Sequence, residues 1–205
     1  MPSDFAFQVL MPAALGTVSF AFIGLGFYAI VRSRPFVVHA RWMLLILLLG
    51  MSPPLAMQVS SFFDHYSGGG LGLETLTSPL MMIIVVWFMA QQTRGYVIFG
   101  TTQESFRDAV LAALLDLNLP FEESMSSIRI PSVPAELNVA VQGWIGTGQL
   151  RLRNGGRPGL LGAIVRRMSN HFGSSQVKTN MTSAIVCLIL GVFMGVTVLT
   201  LMFAA

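Results

Sequence analysis

Residues able to do chemistry are few in this chain, and their spacing sets narrow limits. Between Ala140 and Gly159 the sequence runs AVQGWIGTGQLRLRNGGRPG, six glycines in twenty residues. Glycine at that density can cradle a phosphate or simply let the chain turn. A P-loop requires G-x-x-x-x-G-K-[ST], and this stretch has no lysine. A dinucleotide fingerprint requires G-x-G-x-x-G after a strand and opening a helix. GWIGTG has different spacing and precedes an alternating run, so the glycines are expected to make turns.

The histidines give no metal site. His39, His65 and His171 lie in separate segments, with no cysteine or carboxylate at ligand spacing. His39, with Trp42 nearby in VVHARW, could serve as axial ligand to haem or to the magnesium of a chlorophyll-type pigment. The preferred reading is an interfacial histidine among arginines and an aromatic-belt tryptophan. No serine sits in a G-x-S-x-G elbow, and Glu122 and Glu123 read as a solvated pair beside a turn. Pumping or intramembrane proteolysis needs ionisable groups at membrane depth, and the centres of the apolar segments hold none. The expectation is a chain that is not an enzyme.

The elements around these residues are set by hydropathy. The chain has 205 residues, 54% hydrophobic and 10% charged, with a mean hydropathy of +0.70. A soluble domain carries about 25% charged residues. Charge is absent between Asp4 and Arg32, between Arg41 and Asp64, between Glu74 and Arg94, and after Lys178. Each gap is about as long as the roughly 20 residues that a membrane helix needs, or longer. Four spans are expected at about 9–31, 42–61, 77–97 and 181–203, the third running into the domain that follows it. The first lacks the basic flank of a signal peptide. The only cysteine, Cys187, lies in the fourth, so no disulfide framework exists.

Of the twelve Lys and Arg residues, Arg32, Arg34 and Arg41 lie between spans one and two, Arg94 at the end of span three, and the rest between spans three and four. The positive-inside bias therefore predicts both termini outside and a large loop in the cytoplasm, as in a bacterial inner membrane. The net charge of +3 serves orientation and contact with anionic lipid, and nucleic acid is not an expected partner.

Residues 96–172 predict a small cytoplasmic α+β domain, β-α-β-β-β-α, inserted between spans three and four and leaving 1–95 to the first three spans. GYVIFG (95–100) is β-prone. Thr101 and Glu104 form an S/T-x-x-E capping box, and Phe106, Val110, Leu114 and Leu117 recur at helical spacing until Asn118 and Pro120 stop the helix. SIRI, LNVAV and GQLRLR alternate as strands with one wet face. Gly146, Thr147 and Gly148 form the expected hairpin turn, and Asn154, Gly155 and Gly156 end the next strand. A second helix over 159–172 buries Leu161, Ile164, Val165, Met168 and Phe172. Residues 173–180 are read as a flexible linker to the last segment, 181–205.

Two further features bear on partners. Pro53 and Pro54 predict a packing kink in span two, with a transporter or lipid-handling site as the weaker reading. Ser183, Cys187, Gly191 and Gly195 recur every four residues as a small-residue helix face, which Gly16 and Gly24 of span one could receive, or a neighbouring subunit. Trp144, Gln149, Arg151 and Arg153 form the expected docking surface. Together these predict a non-enzymatic accessory, assembly or scaffolding subunit of a larger membrane complex. The alternatives are a haem- or pigment-associated component of a photosynthetic or electron-transfer complex, and a small transporter or lipid-handling membrane protein.

Overall fold

The computed structural model describes residues 9–67, 73–92, 95–123, 127–131, 135–153, 159–174 and 177–204. In chain order the elements are α1 (Met11–Arg32), β1 (Phe36–His39), α2 (Ala40–Ser67), α3 (Leu73–Gln92), β2 (Tyr96–Phe99), α4 (Gln103–Asp116), β3 (Glu122–Glu123), β4 (Ser127–Ile130), β5 (Ala135–Gln142), β6 (Thr147–Arg153), α5 (Leu160–Ser174) and α6 (Thr182–Ala204). They form two compact units, one from described residues within 1–24, 42–93 and 189–205, the other within 25–41 and 94–188.

Among the described residues three helices, α1, α2 and α6, contain stretches long and apolar enough to cross a membrane. α3 has 20 residues and includes a shorter apolar stretch, Leu80–Gln91, among the described residues. The expectation of a span reaching residue 97 is corrected: the helix ends at Gln92, because Tyr96–Phe99 hydrogen-bond into a sheet. Large apolar side chains such as Phe20 and Phe193 point outward in the first unit, as lipid-facing residues do. α2 runs through Pro53 and Pro54 without interruption. Pro53 removes the donor that would bond the Leu49 carbonyl, and the Ser52 hydroxyl donates to that carbonyl instead at 2.7 Å.

The second unit is built on a six-stranded antiparallel sheet in the order β1-β2-β6-β5-β4-β3. Two strands go beyond the expected pattern. β3 is a two-residue edge strand. β1 comes from the loop between the first two spans and pairs with β2 from Phe36↔Phe99 to His39↔Tyr96. The domain is therefore not a single insertion, since its sheet includes an earlier segment of chain. Phe36 and Val37 pack toward opposite faces into separate apolar clusters, so β1 has no polar face to produce alternation.

α4 and α5 cover one face, packing Phe106, Val110, Leu114, Ile164, Met168 and Phe172 onto Ile98, Ile128, Leu137 and Leu150. The α4 cap lies one residue later than expected. Thr102 is the N-cap and Ser105 completes the capping box, while Thr101 is buried and hydrogen-bonds Ser105. At its other end Asn118 adopts φ +50, with Asn118 N–H donating to Leu115 and Leu119 N–H to Leu114, a Schellman closure.

The hairpin turn also shifts. It comprises 143–146, with Gly146 at φ +75, whereas Thr147 and Gly148 belong to β6. A Cβ at Gly148 would run into the Phe106 ring, so that glycine serves packing and not turning. The expected glycine turn at 154–156 lies outside the described residues.

Residues 177–180 are bound to the domain, which corrects the expectation of a flexible tether there. Thr179 bridges Thr101, Asn180 N–H donates to Gly100, and Asn180 Nδ2 donates to the Gly143 carbonyl at 2.7 Å. Asn180 Oδ1 accepts the Thr182 N–H at 3.0 Å, taking one of the unpaired donors at the start of α6.

Candidate functional site

Alternation along β6 sends Gly148 and Leu150 to the helix-covered face and Gln149, Arg151 and Arg153 to the other. Strand register extends this second face. One row reads Glu122↔Arg129↔Glu136↔Arg153 across β3, β4, β5 and β6. The next reads Ser127↔Asn138↔Arg151. Glu122, Arg129, Asn138 and Arg153 are exposed, and Glu136 and Arg151 half-buried. Among the described residues no ion pair within 4.0 Å joins members of the charged row. Directly opposed charges of opposite sign stabilise a sheet by about 0.2–1 kcal/mol per pair.

The same face is apolar at β1 and β2 and is covered there. Phe36 stacks on Phe99 at 5.4 Å and meets Tyr28 edge-on at 5.1 Å. Leu25 and Ala29 of α1 and Ala184 of α6 pack against this cluster. The face thus divides into a covered apolar half and an open polar half.

Trp144 stands apart from the arginines. It is 78% exposed in the 143–146 turn, and that turn is held to the start of α6 through Asn180. Arg153 lies at the far end of β6, roughly 20 Å away at strand rise. An exposed tryptophan beside the start of an apolar helix suits an interfacial anchor. The expected docking residues therefore form two features, an open polar face and a separate tryptophan.

The small-residue face of α6 packs within the chain. Ser19 Oγ donates to the Gly191 carbonyl at 2.7 Å, and a Cβ on Gly191 would stand 2.7 Å from Ile23 Cγ1. Gly195 approaches the Ser19 hydroxyl, whereas Gly16 and Gly24 have nothing within 4 Å of an added Cβ. Gly26, not singled out from the sequence, takes the close contact with Ala184 and Leu188. Cys187 is buried, and Ser183 accepts the Gly100 N–H at 3.2 Å.

His39 ends β1, with its ring 4.7 Å from that of Tyr96. Its Nδ1 accepts the Arg41 N–H at 3.2 Å. The side chain of His65 lies outside the described residues. His171 borders a groove of about 260 Å³ between α4 and α5, with Asp116, Arg167, Asn170 and Ser174. Arg167 pairs with Asp116 at 2.8 Å, and the Ser174 hydroxyl donates to helix carbonyls. Among the described residues no three or more His, Cys, Asp or Glu side chains gather as a metal site. Comparison with family models, curated proteins and solved structures gives no match for this chain.

Proposed function

We propose that this chain is a non-enzymatic accessory or scaffolding subunit of a membrane protein complex, docking partners through the open half of its sheet. The observation that carries the reading is that half-face itself: charged and polar rows on a domain fastened to the ends of apolar helices. Opposed charges along the row stabilise the sheet itself, and on an exposed face the same ordered charges are available to a partner of complementary charge. Purification in mild detergent followed by mass spectrometry tests the reading. Stoichiometric co-purifying membrane proteins are expected, and a chain that always elutes free of other proteins sinks it.

In this reading the topology has four spans, with both termini outside and the α+β domain in the cytoplasm of a bacterial inner membrane. The pairing of β1 with β2 supports this, because hydrogen-bonded strands must share one side of the bilayer. α2 and α3 lie between those strands, so a crossing by α2 requires a return by α3. The arginines supply the sign of the topology.

A further inference from the structure

We infer that the open half-face is a self-association surface, and that its occupant is a second copy of this chain. The inference rests on the docking reading above and names the partner. Across four adjacent strands the charged row alternates in sign: Glu122, Arg129, Glu136, Arg153. Read backwards, the same row presents Arg, Glu, Arg, Glu. A two-fold axis parallel to the strands, passing between β4 and β5, reverses the row while stacking one face on the other. Glu122 then meets Arg153 of the second copy and Arg129 meets Glu136, each contact occurring twice. In the neighbouring row the same operation sets Ser127 against Asn138, polar against polar.

One observation favours this operator. The overlap falls on β3 to β6 and leaves β1 and β2 to the cover supplied by Leu25, Ala29 and Ala184. A two-fold running across the strands would instead set Glu122 on Glu122.

The test uses full-length chains carrying two different affinity tags, co-expressed and purified on one tag in mild detergent. Wild-type chains should retain the second tag at about 0.05 M salt and lose most of it near 0.5 M, since exposed pairs are screened. Arg153→Glu alone and Glu122→Arg alone each place like charges opposite one another, and each should lower recovery roughly tenfold. Co-expression of Arg153→Glu with Glu122→Arg makes every facing contact complementary again and should restore recovery. Circular dichroism checks the fold of each variant, and Glu122→Gln with Arg153→Gln gives a milder pair should a reversal fail to fold. The double reversal in one chain separates this from stabilisation along the row: it restores facing contacts but puts Arg beside Arg129 and Glu beside Glu136. Recovery with the double reversal supports the pair. Wild-type chains that never carry the second tag, or mixed reversals that fail to restore it, overturn the inference. Co-purification of other membrane proteins is scored separately, so loss of self-association leaves the scaffold reading standing or falling on its own result.

Discussion

The ring of Phe106 occupies the space where a Cβ on Gly148 would stand. Phe106 is fully buried on α4, and Gly148 lies directly opposite Ile98 in the sheet. The close approach lets the helix settle on the strands, so the glycine works as a packing residue. Gly148→Ala should destabilise the domain by about 1–3 kcal/mol through overpacking. Thermal unfolding in detergent followed by circular dichroism measures this. Pairing it with Phe106→Leu should recover part of the loss, whereas simple additivity would contradict the contact.

A second contact joins α1 to α6. Ser19 Oγ donates to the Gly191 carbonyl, and Gly191 leaves room for Ile23. Interhelical hydrogen bonds in membranes average about 0.6 kcal/mol, so Ser19→Ala should be mild. Gly191→Leu pushes a side chain into Ile23 and should cost more, about 1–3 kcal/mol. Unfolding in mixed detergent micelles ranks the two. A Ser19→Ala effect equal to that of Gly191→Leu would mean the hydroxyl, not the close approach, controls the helix pair.

Helical and alternating periodicity were legible because each marks one buried face. Phe106, Val110 and Leu114 showed the inner side of α4, and Leu150 and Leu152 that of β6. β1 was hidden because Phe36 and Val37 pack toward opposite faces, leaving no alternation between two long apolar segments. Small residues on α6 were visible as a face, but their partners were not, since Ser19 and Ile23 carry no signal of close approach. Alternation alone puts Arg151 and Arg153 on one side of β6. The row they complete depends on pairing with Glu122, Arg129 and Glu136, and register across strands is not written in any one strand.

Asn180 offers a local test of the junction between the sheet and α6. Its side chain donates to Gly143 and accepts from Thr182. Asn180→Ala removes both bonds and should cost about 1–2 kcal/mol, as loss of a helix cap does. Amide exchange measured by mass spectrometry should quicken around residues 143–146 and at the first turn of α6, with β4 unchanged. Uniform quickening throughout the sheet would show a global loss of stability and not a local clasp.

The strand pairing makes the topology testable with a single reporter chemistry. β1 and β2 are hydrogen-bonded from Phe36↔Phe99 to His39↔Tyr96, and the chain between them enters α2 and leaves by α3. In a Cys187→Ser background, Gly69→Cys and Ala140→Cys place single thiols in the α2–α3 connection and on the open sheet face. A membrane-impermeant maleimide added to intact cells should label Gly69→Cys, and Ala140→Cys should react only after lysis. The polar face near Ala140 carries Gln149 opposite it in register, so a small thiol there leaves the sheet intact. If both positions react from outside, α2 and α3 do not form a crossing pair and the arginines do not mark the inner side. If only Ala140→Cys reacts, the helices cross with the opposite sign.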